Sequence, residues 1–146
     1  MKTIIIEETL NYVRNLGRND YSGHDFQHAE RVYRTAMMLA REEGADAEIV
    51  ALASLLHDVD DRKISPSTYQ EKSNAKSFLL GMNLDTDKIE RILLVIKEVE
   101  FLGVDSVRPS TIEGMCVQDA DRLDALGAIG IARAFAYGGS HNRKMY

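Results

Sequence analysis

Apolar residues return every three or four positions along most of this chain, a spacing that predicts helices. Residues 3–16 carry Ile4, Ile5, Thr9, Tyr12, Val13 and Leu16 on one face, and Gly17 ends the run. After the turn "GRNDYSGHD", Asp25 can cap a second helix reaching residue 43, with Ala29, Val32, Tyr33, Ala36, Met37 and Ala40 inward and Gly44 closing it. Asp46 caps a third helix over 47–58, nearly continuous in small and apolar residues. The loop "DRKISPSTY", broken by Pro66, precedes helices near 68–81 and 85–99, with Gly81 and Asn83 between them. The loop "GVDSVRPS" leads to a last helix from about Ser110 to Ala136. Its stretch "ALGAIGIARAFA" is so rich in Gly and Ala that a neighbouring backbone is expected to approach closely. No strand-like alternation runs longer than four residues, and there is no repeat. The expectation is an all-α single domain over 1–146, a bundle of about six helices. The segment "YGGSHNRKMY" has neither a cap nor a closing apolar element, so 138–146 reads as a short flexible basic tail.

Polar residues interrupt this pattern at the inner ends of the helices. "LASLLHDVDD", residues 52–61, begins as core and finishes in His57, Asp58, Val59, Asp60 and Asp61. His24 and His28 lie four apart on one helix face, and His28 heads the stripe of Val32 and Ala36. Asp121 lies four before Ala125 and seven before Ala128, on the small-residue face of the last helix. A buried carboxylate without a partner is costly and takes up a proton instead. One divalent cation satisfies imidazoles and carboxylates together. His28, His57, Asp58 and Asp121 form a mixed N/O set suited to Mn, Mg, Co, Ni, Fe or Zn rather than Ca. On a six-coordinate ion they leave an open position, which a catalytic metal needs.

Composition narrows the partners. The 146 residues are 45% hydrophobic and 28% charged, enough for one soluble domain with a real core. A net charge of −5 speaks against a nucleic-acid polymer, whose binders usually carry a basic face, but leaves a small anionic ligand open. The single Cys116 excludes an internal disulfide and, between Met115 and Val117, reads as a buried thiol. "MKTIIIEETL" is too short for a signal peptide and no stretch approaches the roughly 18 apolar residues of a membrane span, so a cytoplasmic protein is expected.

The order His28, then His57–Asp58, then Asp121 resembles the HD-domain superfamily of metal-dependent phosphohydrolases. "HDFQHAERV" is similar to its first-histidine helix, "ALASLLHDVDD" to its HD helix and "VQDADRLDALGAIGIARAFAYGGSH" to its final-aspartate helix. The last string resembles a branch of small bacterial-type HD hydrolases, and the likeness covers about residues 20–143. It implies His28, His57, Asp58 and Asp121 as metal ligands, with Asp121 rather than Asp119 or Asp124 in the final place. Members of that branch usually run several dozen residues beyond "GGSH", so a C-terminal portion of the fold is expected to be missing. Di-metal members carry extra histidines before the last aspartate. None lies between residues 59 and 120 here, which implies one metal, with Mn or Mg favoured.

A phosphohydrolase of this kind uses a metal-activated water. Nucleotidase members show an HDxxE arrangement whose acid assists hydrolysis, and Asp61 matches that place as acid/base or water-orienting group, or else as a solvated loop charge. Asp60 reads as surface. Lys63, in the loop above the metal, is a second candidate for the catalytic machinery through phosphate. Arg31 either takes phosphate oxygens or pairs with Asp25 or Glu30. His24 and Asp124 either support a ligand histidine or touch substrate. Arg133 is expected to pair with an acid, and His141 to be exposed. The expected activity is hydrolysis of a small phosphorylated substrate, a nucleotide foremost, by pyrophosphohydrolase or phosphomonoesterase chemistry (EC 3.1 or 3.6). The alternative is a non-catalytic HD module that binds metal and nucleotide for regulation. Pairing of two chains is left open.

Overall fold

The computed structural model describes residues 2–17, 26–62 and 65–145, and among them the fold is all helical. Seven α-helices follow one another: α1 (Lys2–Leu16), α2 (Phe26–Glu43), α3 (Ala47–Leu56), α4 (Ser73–Gly81), α5 (Thr86–Val99), α6 (Ile112–Leu123) and α7 (Gly127–Ser140). His24, Asp25 and Lys63 fall outside the described residues.

The core is organised around α3. Its face-to-face neighbours are α1, α2, α5 and α6, and α2 also packs along α6. Residues 49–56 of α3 are all buried, which is why that segment reads as apolar all round rather than amphipathic. Ala29, Val32, Ala36 and Ala40 form the buried stripe of α2, and their small side chains let α2 lie close to its neighbours. Of the α1 face, Thr9 and Val13 are buried, whereas Ile4 and Leu16 lie more than half exposed. Tyr12 stacks on Phe78 with ring centroids 4.3 Å apart, tying α1 to α4.

Caps set several boundaries. The Asp46 carboxylate accepts from the backbone N–H of Glu48 and Ile49, and Asp46 N in turn donates to Glu113 of α6. Thr111 accepts from Gly114 N to open α6. Gly44 closes α2 with φ +70°.

Three boundaries differ from the periodicity. First, α3 ends at Leu56 and residues 57–60 form tight turns, with Val59 N donating to Leu56 O. Second, residues 66–72 are turns, and α4 begins only at Ser73 because Lys72 takes a left-handed conformation at φ 51°. Third, the expected last helix is two. Leu126 is extended and Gly127 has φ +65°, so α6 and α7 meet at a corner after Asp124. Composition alone cannot reveal that corner, since Ala and Gly occur on both sides of it.

The close backbone approach expected along the Gly/Ala stretch is confined to Gly130, where a Cβ would stand 2.1 Å from the Ala125 carbonyl oxygen. No residue of α7 is buried, and Leu126, Ile131 and Phe135 are each more than half exposed. Its end is capped, contrary to the expectation of an uncapped tail. Arg143 N donates to Gly138 O, His141 N to Tyr137 O, and Asn142 is left-handed at φ 53°. Residues 138–140 thus belong to α7, and the exposed His141 ring stacks on Tyr137.

Asp60 is not a surface residue. It is fully buried, and its two carboxylate oxygens accept from Asn74 N and Ala75 N, 3.1 and 2.9 Å away. Thirteen residues before the start of α4, it supplies the cap that Lys72 cannot provide there. Asp60→Ala should orphan two inward amides and cost about 2–3 kcal/mol of stability. Urea unfolding followed by circular dichroism would measure it.

Candidate metal centre and cleft

Two imidazoles meet where α2 and α3 cross. His28, in the first turn of α2, is 1% exposed, and His57, just past α3, is 8% exposed. The outer nitrogen of each ring is already engaged. His57 Nδ1–H donates to the Ser54 carbonyl at 2.8 Å, one turn back. His28 Nδ1–H donates to Asp124 Oδ2 at 2.7 Å. A carbonyl and a carboxylate can only accept, so both Nδ1 atoms carry the proton and both Nε2 atoms are left as acceptors. Those two Nε2 atoms nevertheless face one another at 3.3 Å.

Carboxylates close around this pair. Asp58 Oδ2 lies 3.3 Å from His28 Nε2, and its Oδ1 lies 3.4 Å from His57 Nε2. Asp121 Oδ1, from α6, stands 3.3 and 3.4 Å from the same two nitrogens. His28, His57 and Asp58 each bring one donor atom within 4.8 Å of the others, and Asp121 adds a contact to both rings. Donors about 2.1 Å from a common centre stand roughly 3.0–3.4 Å apart, so the spacing fits a cation held by nitrogen and oxygen. Paired lone-pair nitrogens with two carboxylates fit the same conclusion by charge. His28, His57 and Asp58 can hold a metal.

Without a cation, protons perform the same compensation. Burial opposes charging His57, but Asp58 and Asp121 overcome it and push its pKa up to about 10. Burial likewise opposes, and the same carboxylates reverse, the shift of His28, which also rises. Burial would raise Asp121, yet hydrogen bonds from His28 and His57 hold it well below the usual carboxylate range. The sign of the linkage follows. His57, raised from 6.5 to about 10, contributes stability that is complete below 6.5 and is lost as pH rises through 10. Asp121, depressed below 3.8, contributes stability that is present above that value and lost as pH falls further. Metal-free protein in chelator should therefore melt progressively lower between pH 6.5 and 10 in calorimetry, and excess divalent metal should flatten that decline.

Behind the rings lies a second layer. Asp124, at the α6–α7 corner, accepts from Arg31 Nε at 2.8 Å and Nη2 at 3.0 Å, from Arg133 Nη1 at 3.2 Å, and from His28. Burial would raise its pKa, but Arg31 and His28 hold it down. Arg31 and Asp124 are thus engaged with one another beside His28, and neither lines the cleft.

In front of His57, Asp58 and Asp121 opens a cleft of about 460 Å³. His57, Asp58 and Asp121 form part of its wall, and Asp61 lines it as well. Asp61 reaches that position through the tight turn after Asp58, not through a continuing helix. The remaining wall was not legible in the sequence. Tyr69 and Lys72 come from the turns before α4, Glu100 from just past α5, Arg122 from α6 and Arg133 from α7, and none carries a local motif. Cys116 is buried, and burial raises its thiol pKa. Among the described residues no helix is long and apolar enough to cross a membrane.

Comparisons with known proteins agree with the fold. The HD-domain family model matches residues 25–126. Bacillus subtilis YpgQ is 35% identical over 96% of this chain and 69% of its own length. The crystal structure of YpgQ in complex with ADP superimposes with a TM-score of 0.79 at 34% identity, covering 97% of this chain and 71% of that one. An HD-superfamily hydrolase from Bacillus thuringiensis gives a TM-score of 0.78 at 39% identity, covering 100% and 71% of the two chains. Matched by the family model over well over half its length, and by YpgQ along nearly all of it, this chain belongs to the HD-domain family.

Proposed function

We propose that this protein is a divalent-metal-dependent phosphohydrolase acting on a nucleotide or a similarly small phosphorylated molecule. The observation that carries the reading is the convergence of two Nε2 acceptors and two carboxylates on one point in the wall of a solvent-open cleft. His28, His57, Asp58 and Asp121 are the ligands, for one ion with Mn or Mg foremost. A divalent cation there supplies Lewis acidity, easing deprotonation of water and drawing charge from a phosphoryl group. Asp61 lines the same cleft and is suited to accept a proton from the attacking water or orient it. Asp124 and Arg31 hold the His28 ring rather than touch substrate, and Arg122 and Arg133 bring positive charge to the cleft. The ADP complex of YpgQ supports a nucleotide as ligand.

The test is a screen of nucleoside mono-, di- and triphosphates and simple phosphoesters against Mn, Mg, Co and Ni, with orthophosphate and pyrophosphate measured separately. Metal-dependent release from nucleotides is expected. Tight nucleotide and metal binding with no product under any combination would favour the non-catalytic module instead.

A further inference from the structure

Lys72 is placed against every preference of its residue type. It is 4% exposed, it adopts φ 51° and ψ 44°, and it occupies the N-cap position of α4, where small polar or acidic residues are favoured. No side-chain cap is gained in return, because Asp60 has already taken the amides of Asn74 and Ala75. Its surroundings explain where the ammonium goes. Nζ lies 4.3 Å over the Tyr69 ring and 3.7 Å from Glu100 Oε2, and all three residues line the cleft that holds Asp58 and Asp121. An ammonium–carboxylate hydrogen bond is about 2.7–2.9 Å long. At 3.7 Å Glu100 balances the charge without saturating the donors. Glu100 is itself shared, since its hydrogen bond to Tyr69 is the main reason the phenol pKa is raised.

We propose that Lys72 is a phosphate-binding residue of the cleft, its ammonium donating to a phosphate oxygen of the bound nucleotide while Glu100 and Tyr69 hold the stem in place. The assignment rests on the phosphohydrolase reading and adds to it the cation that contacts the substrate. Position 72 could be filled by Gly or Asn with less backbone strain, and neither would bring a charge. A buried lysine here therefore matches an anionic ligand better than it matches a structural need.

The test is calorimetric binding of ADP and of inorganic pyrophosphate to the Mn-loaded protein. Lys72→Met keeps the stem and loses the charge, and should weaken both ligands by at least about tenfold, as expected for losing a charge-assisted hydrogen bond. Lys72→Arg should keep both within about threefold. Should Lys72→Met lose its helical circular dichroism, Lys72→Gln is read in its place. Equal ADP binding by the folded neutral variant and the unmodified protein would overturn the Lys72 assignment alone. An unmodified protein that neither binds ADP or pyrophosphate nor hydrolyses nucleotides would overturn the functional reading and Lys72 with it.

Discussion

Asp58→Ala should lower metal-dependent hydrolysis by at least roughly a thousandfold while leaving the helical circular dichroism intact. The carboxylate approaches both ring nitrogens, at 3.3 and 3.4 Å, so its loss removes one of the two carboxylates that span the pair. Lewis-acid stabilisation of a phosphoryl transition state is worth several kcal/mol, and about 1.4 kcal/mol is a factor of ten. Its side chain is 20% exposed toward the cleft, so truncation leaves no closed void in the core. Metal content of the purified variant, measured by elemental analysis, separates the causes. A variant that retains full metal occupancy and full turnover would remove Asp58 from the centre.

Asp124→Ala should have the largest effect on folding of any single change near the site. Three basic groups, His28, Arg31 and Arg133, converge on one carboxylate that is only 9% exposed. Removing one partner of such a cluster leaves the others uncompensated and costs about 3 kcal/mol or more. At roughly 2–4 °C per kcal/mol for a domain of this size, melting should fall by about 10 °C. Metal affinity should fall about 10–100-fold as well, since Asp124 fixes the tautomer and tilt of His28. Asp124→Asn distinguishes the two roles. Its amide oxygen can still accept from His28 Nδ1, so metal affinity should recover further than melting temperature, which depends on the lost charge.

The inward placing of the two imidazoles is legible in the sequence. His28 and His57 were placed inward by their spacing from Val32, Ala36, Leu55 and Leu56, and both are buried. Asp121 was placed by its spacing from Ala125 and Ala128, yet it reaches the rings for another reason. Ala125 lies in the corner and Ala128 beyond it, and the buried Cys116, Val117 and Ala120 of α6 are what turn Asp121 inward. The burial of Asp60 is not legible in the sequence, because a carboxylate beside a loop looks solvated and its two amide partners are fourteen and fifteen residues away.

The sequence by itself determined the helices with strong periodicity, the buried stripes of α2 and α3, and that imidazole and carboxylate donors stand at the inner ends of helices, among them His28, His57 and Asp58, which can hold a metal. These are local properties: a 3.6-residue repeat and a donor atom's chemistry do not depend on distant residues. Tertiary structure alone decided the corner at Gly127, the burial of Asp60, the triple engagement of Asp124 and the meeting of Lys72 with Tyr69 and Glu100. Each depends on groups brought together by packing across long stretches of chain, or on a backbone conformation that neighbouring residues tolerate without requiring.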